Sequence, residues 1–161
     1  MKYTKIRQVK DPTGNRKEDA GVDLYIPSDF NNGKPMKLYR GQQVNIPSGI
    51  KVKVPYGMEL KFDNKSGVSL KKGLVVGATI VDTGYRGEIH LNLFKVVKGT
   101  EDKRDWLGRP YTVIQAGDKI IQAILCKIST ESWNMISNES YEKGPATKRG
   151  VKGFGNGTGT F

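Results

Sequence analysis

GATIVDTGYRGEIHLNLF (residues 77–94) sets one aspartate between a β-branched run and a Gly-Tyr-Arg-Gly turn, and an alternating apolar run follows. This pattern predicts a β-hairpin whose tip presents Asp82 and Tyr85. An aspartate after a strand is a common turn residue. The residues alone therefore leave Asp82 open between a turn role and a catalytic one.

The same grammar extends outward. GVDLYI (21–26), IKVKV (50–54), MELKF (58–62) and YTVIQ (111–115) alternate with period two. PTGN (12–15), NNGK (31–34), PSG (47–49), PYG (55–57), KKG (71–73) and AGD (116–118) read as turns between them. The whole chain of 161 residues holds 20 glycines and 7 prolines, and no segment keeps a helical period over three turns. The expectation is an all-β fold, a distorted jelly roll or β-barrel of short strands, with one short helix around VSLKK (68–72). Two segments break the pattern. KGTEDKRDWLGRP (98–110) is expected to be an extended charged loop carrying Trp106. RGVKGFGNGTGTF (149–161) has five glycines and no alternating apolar residues, so it is expected to be a frayed end or a lid that closes on a ligand. The expected organisation is one β domain over 1–148 and a mobile C-terminal lid over 149–161.

Composition narrows the chemistry. Lys+Arg number 27 against 16 Asp+Glu, a net charge of +11. Acid-free basic stretches at 65–73 and 143–152 suit nucleotides or nucleic acid, or simply form a solvated surface. No helix-turn-helix, zinc-finger or RNP-like pattern accompanies them. One Cys and one His cannot supply a zinc site, and a Ser-His-Asp enzyme would have to be built on His90. A lone Cys126 excludes a disulfide scaffold and makes a reducing, cytoplasmic setting the expectation. No membrane span and no secretory leader is expected. The chemistry must come from carboxylates, hydroxyls, amides, Lys/Arg and backbone.

Five segments occur in a recognisable order: AGVDLYIP (20–27), DNKSGVSLKKGL (63–74), GATIVDTGYRGE (77–88), AGDKIIQAIL (116–125) and RGVKGFGNGTG (149–159). The chain resembles the trimeric, all-β dUTPase family, and its NKSG second motif and inserted loop resemble those of phage-type members. The resemblance implies hydrolysis of dUTP to dUMP and pyrophosphate with Mg2+, in the cytoplasm (the host's, for a phage-encoded protein). It implies a homotrimer with shared sites. A regulatory protein partner at the 98–110 loop is a further expectation.

Roles follow position by position from the resemblance. Asp23 would hold magnesium through water, which suits a metal that dehydrates reluctantly. Lys65, Ser66 and Gly67 match the family's Arg-Ser-Gly and would contact phosphates. Lysine there keeps the charge but lacks the bidentate fork. Asp82 matches the carboxylate that orients and deprotonates the attacking water, and Tyr85 the ring that packs beneath the sugar and excludes a 2′-OH. Backbone groups around Gly77, Ile80, Val81 and His90 would read the uracil edge. Gln122 matches a phosphate contact, although Ile120, Ile124 and Ile128 recur at core spacing and would equally leave Gln122 at a strand's wet end. Arg149 would clamp the γ-phosphate and Phe154 stack on uracil. Gly155 and Asn156 would meet the phosphates, with Asn156 standing where the family has a hydroxyl residue.

Two other classes compete. The fold-related dCTP deaminases place a catalytic Glu at the position of Asn92, and Asn cannot shuttle that proton. A non-enzymatic nucleic-acid binder would use the basic stretches but gives no reason for Asp23, Asp82 and Phe154.

Overall fold

The computed structural model describes residues 1–14, 16–129 and 131–145. The chain divides into two units, Met1–Ser129 and Thr130–Phe161. Within the described part of the second unit lies one short helix, α2, named in its place below.

The first unit is built from short strands: β1 (Lys2–Lys5), β2 (Val22–Tyr25), β3 (Met36–Tyr39), β4 (Gln43–Pro47), β5 (Ile50–Lys53) and β6 (Met58–Asp63). Helix α1 (Ser66–Lys72) follows, then β7 (Leu74–Val76), β8 (Ile80–Val81), β9 (His90–Lys95), β10 (Lys103–Arg104), β11 (Pro110–Ile114) and β12 (Lys119–Lys127). They pair in the orders β1-β5, β10-β11-β3, β2-β12-β6-β8 and β4-β9-β7. Every ladder between named strands is antiparallel. This is the all-β architecture expected, with α1 where the short helix was expected. Residues 138–142 add α2 (Asn138–Glu142), which starts at Ser137, whose Oγ accepts from Ser140 N–H at 3.2 Å. The sequence reading did not expect it.

Alternation decides which side chains enter the core. On β6, Leu60 and Phe62 point inward and Lys61 outward; on β9, Leu91 and Leu93 are buried. Burial of each such side chain is worth about 1.5–3 kcal/mol. The inward face of β9 continues to Lys95, whose side chain is 1% exposed.

Strand β12 is the longest and lies between β2 and β6. Its pairing with β2 shifts register between Lys119 and Ile121. The irregularity lets adjacent Ile120 and Ile121 both bury. It also corrects the expected spacing: Ala123 takes the inward face, Ile124 is half-buried and Ile128 is exposed. Cys126, on the same strand, is half-buried.

The 98–110 segment also departs from a plain extended loop. It contains β10, which pairs with β11 through Lys103↔Tyr111 and Arg104↔Pro110. Its first half is rooted in the domain by Asp102, whose side chain is fully buried against Lys95. Trp106, at the tip, is 88% exposed, as its charged surroundings suggest.

Candidate active site

The turn after β8 closes as its residues dictate, but the expected β-hairpin is open: β8 pairs with β6, β9 with β4 and β7, and the two arms join different sheets instead of pairing with each other. Tyr85 N–H donates to Asp82 O at 3.1 Å, which closes the turn. Thr83 Oγ1 donates to Met58 O at 2.7 Å and ties the turn to the start of β6. Arg86 folds back onto the carbonyls of Thr83 and Tyr85 at 2.6 and 2.8 Å. The Tyr85 hydroxyl donates to Glu88 O at 2.8 Å. This bond holds the phenol ring across Gly87. A Cβ at Gly87 would collide with the Tyr85 hydroxyl and stand 2.6 Å from its Cζ. Gly87 is therefore the platform that lets the ring lie down.

Beside the ring opens a cavity of about 180 Å3, lined by Phe62, Ala78, Ile80, Val81, Asp82, Tyr85, Ile89 and His90. Asp82 and Tyr85 are exposed at its rim, and Phe62, Val81 and Ile89 form its buried wall. His90 begins β9, and its Nδ1 lies 3.1 Å from Glu88 O. Gly77 lies one strand over, its N–H donating to Asn92 O at 2.9 Å. A side chain at Gly77 would strike Asn92 Oδ1 and the Phe94 ring.

The base of the hairpin is anchored by charge. Glu88 accepts from Arg7 Nε at 2.7 Å, Arg7 Nη2 at 3.3 Å and Gly49 N–H at 2.8 Å. Arg7 also donates from Nη1 to Asp29 at 2.6 Å. Burial pushes the Glu88 carboxyl upward, but the Arg7 and Gly49 hydrogen bonds and the nearby Arg7 and His90 charges outweigh it. The net result lies below the ordinary glutamate value. The Glu88 and Asp29 bonds raise the Arg7 guanidinium further above its usual range.

A second group of expected residues gathers on the β2-β12-β6 sheet. Gln122 stands opposite Asp23 on one side and Asp63 on the other. Asp23 Oδ1 pairs with Lys65 Nζ, and its Oδ2 lies 3.5 Å from Lys119 Nζ. Ser66 and Gly67 are exposed at the start of α1, and nothing lies within 4 Å of the place a Gly67 Cβ would take. Two ammonium groups, an amide and a hydroxyl stand around one carboxylate, and all three kinds are hydrogen-bond donors that an anion accepts. Among the described residues, no three His, Cys, Asp or Glu side chains cluster as a direct metal cage.

The Asp82 and Gln122 side chains are set apart along β6. Val81 pairs with Leu60 on β6, while Gln122 pairs with Asp63 on the same strand. Asp82 thus lies about four residues along β6 from the Gln122 row, roughly 13 Å at ~3.3 Å per residue. Arg149, Phe154, Gly155 and Asn156 lie outside the described residues.

Sequence reasoning gave no role to Arg7, Gly87, Glu88 or Lys119. Glu88 and Gly87 stood within the third motif, and Lys119 within the fourth. Arg7 lies outside all five motifs and had no local signal.

An all-β domain with Asp82 and Tyr85 at the rim of a cleft, and with lysine, amide and hydroxyl groups beside Asp23 on the sheet that includes β6, has the donors that a nucleotide would need. Comparison with known proteins narrows the class. A sequence model of the dUTPase family matches residues 7–158. The chain is 32% identical over 127 residues to the deoxyuridine 5′-triphosphate nucleotidohydrolase of Chlamydia muridarum, covering 78% of this chain and 77% of that protein. It is 31% identical over 146 residues to the protein of the same name from Ehrlichia canis, covering 89% and 84%. Its fold is similar to that of a Staphylococcus bacteriophage 80alpha dUTPase mutant solved with dUpNHpp, with a TM-score of 0.74, 21% identity and 96% of each chain covered. A mutant dUTPase from phage phi11 of S. aureus, described with a structural Mg(II) ion, aligns with a TM-score of 0.67 and 21% identity over 85% of this chain and 96% of that one. The chain belongs to the dUTPase family. No helix among the described residues is long and apolar enough to cross a membrane.

Proposed function

We propose that this chain hydrolyses dUTP to dUMP and pyrophosphate, with water attacking the α-phosphorus under the control of Asp82. The observation that carries the reading is the hairpin cavity with Asp82 and Tyr85 together at its rim. Uracil enters this cavity, where peptide groups of Ile80, Val81 and His90 face its edge; Gly77, expected with them, does not line it, and its N–H is taken by Asn92 O. The cavity's narrowness disfavours the 5-methyl of thymine, and a mismatched hydrogen-bond pattern disfavours cytosine. The Tyr85 ring underlies the sugar. Asp82 accepts a proton from the attacking water, and its exposure at the rim leaves room for that water.

Lys65, Ser66, Gly67 and Gln122 hold the phosphates, with Lys119 beside them. Arg149, Phe154, Gly155 and Asn156 complete the site as a closing segment over the γ-phosphate and the base. A magnesium ion would be carried mainly by the triphosphate; Asp23, here paired with Lys65 and Lys119, would hold it through water once those lysines turn to the phosphates. Such an ion would neutralise charge on the phosphate oxygens.

Membership of the dUTPase family supports a homotrimer with shared sites, in which Asp82 of one copy works with Gln122 and Lys65 of another. A single half-buried Cys126 supports a reducing, cytoplasmic setting. The exposed tip at Trp106 and Leu107 supports a protein partner at the 98–110 loop.

The test is incubation with each deoxynucleoside triphosphate and magnesium, followed by product analysis. Pyrophosphate and dUMP from dUTP alone are expected. Deamination of dCTP, or no turnover of any substrate, would refute the reading.

A further inference from the structure

Four carbonyls at the end of a helix have no partner within it. At the end of α1 every one of them finds a donor. Ser69 O accepts from Gly73 N–H at 2.9 Å, Leu70 O from Thr100 N–H at 3.1 Å and Lys71 O from Glu101 N–H at 2.9 Å. Lys72 O accepts from the Lys95 ammonium at 2.6 Å. Three of the four donors therefore come from residues 95–101, the end of β9 and the root of the insert.

That root is itself locked. Lys95 Nζ donates to both Asp102 oxygens, at 2.8 and 2.7 Å, and Asp102 also accepts from Gly99 N–H at 3.1 Å. The side chains of the pair are 1% and 0% exposed. Gly99 is buried against the helix end, where a Cβ would collide with Lys71 O and stand 2.6 Å from Lys71 C. On its other flank, Lys72 reaches Val113 O at 2.6 Å and Asp118 at 3.1 Å.

Helix α1 has seven residues and buries none of them. Val68 packs partly buried against the core, and these bonds fix the C-terminal end of the helix. A helix of this length spans about 10 Å, short enough to act as one rigid piece. At its other end stand Lys65, Ser66 and Gly67. A buried ion pair is a poor means of adding stability compared with apolar packing, but it can specify a geometry.

We propose that Lys95 and Asp102, with the backbone of Gly99–Glu101, are positioning elements for the phosphate-binding segment Lys65–Gly67, acting through α1. The proposal rests on the reading that this segment meets the phosphates of dUTP. Disturbing the root should then weaken the part of the affinity that depends on the β- and γ-phosphates and leave the nucleoside part intact.

The experiment compares binding of dUpNHpp and dUMP by calorimetry, with folding checked by circular dichroism and melting. The variants are Asp102→Asn, Gly99→Ala and the double change Lys95→Met with Asp102→Leu. Glu139→Gln in α2, at an exposed ion pair with Lys143, is the control. Gly99→Ala keeps both charges and carries the test if loss of a charge unfolds the protein. In folded variants the affinity for dUpNHpp should fall by about tenfold to a hundredfold, the scale of a misplaced binding group, while dUMP and the control stay near wild type. Equal losses for both ligands, or unchanged dUpNHpp affinity in folded variants, would overturn the proposal alone. Wild-type protein that binds dUpNHpp no more tightly than dUMP would overturn the phosphate assignment beneath it.

Discussion

Gly87→Ala is a small change with a calculable effect on sugar selectivity. The Gly87 backbone lies outside the left-handed region, so alanine carries no strain of its own there. The cost is steric. The new Cβ would stand 2.6 Å from Tyr85 Cζ, and relaxing to an ordinary carbon–carbon contact of about 3.5 Å moves the ring by roughly 1 Å. That motion breaks the 2.8 Å bond from the Tyr85 hydroxyl to Glu88 O. A net hydrogen bond is worth about 0.5–1.5 kcal/mol. The ring's proper placement should thus be disfavoured by about two- to thirteenfold. With the floor beneath the sugar displaced, a 2′-hydroxyl finds room. The ratio of kcat/KM for dUTP over UTP should fall by up to that factor. Tyr85→Phe, which loses the bond but keeps the ring, should fall toward the low end. Tyr85→Ala should fall furthest. The assay is pyrophosphate release from both substrates, with melting curves to verify the fold. Folded Gly87→Ala protein with wild-type discrimination would show that Tyr85 does not enforce the deoxy preference.

Asp82→Asn should bind dUTP nearly normally yet lose about two to four decades of turnover, the usual cost of a missing general base; single-turnover kinetics beside binding would expose any other assignment. Mixing inactive Asp82→Asn chains with inactive chains lacking 149–161 should restore activity on reassembly, and an active species of monomer mass in sedimentation would contradict shared sites. Glu88 supplies a pH signature. Its folded value lies below the ordinary one, so its contribution is present above the unfolded value of about 4.3 and is lost as the pH falls through the lower folded value. Wild-type melting temperature should drop below about pH 4 more steeply than that of Glu88→Gln, and parallel curves would remove Glu88 from the account.

The turn at Asp82 was legible because two local signals agree there, period-two alternation in the flanking strands and a turn of Gly, Tyr and Arg; that its arms do not pair was not, because each finds its partners far away in sequence. Strands β2, β5, β6 and β11 were legible for the same reason. β1 was not, because Lys2–Lys5 has no buried position to betray it. The β12 core was misread because the register shift at Lys119–Ile121 breaks the alternation from which the spacing was inferred. Lys95 was hidden differently. Alternation after Leu91 and Leu93 points it inward, but a lysine at a strand end reads as solvent-facing until its partner is known. That partner, Asp102, sits in a charged stretch where nothing in the local pattern separates it from its exposed neighbours. Arg7 and Glu88 are 81 residues apart, and only tertiary structure joins them.

The separation of Asp82 from Gln122 along β6 has a consequence for how much activity a given quantity of protein delivers. If neither end of the strand can act alone, a newly made chain is inert until it meets others, and competence depends on concentration. Diluting the protein below its assembly constant should extinguish specific activity far more sharply than in proportion, without unfolding any chain. Substrate that bridges two copies would oppose that loss, because a ligand that binds only the assembled form draws chains into it. Protein equilibrated below that constant would then begin turnover with a lag when dUTP is added, and the lag would shorten as dUTP rises.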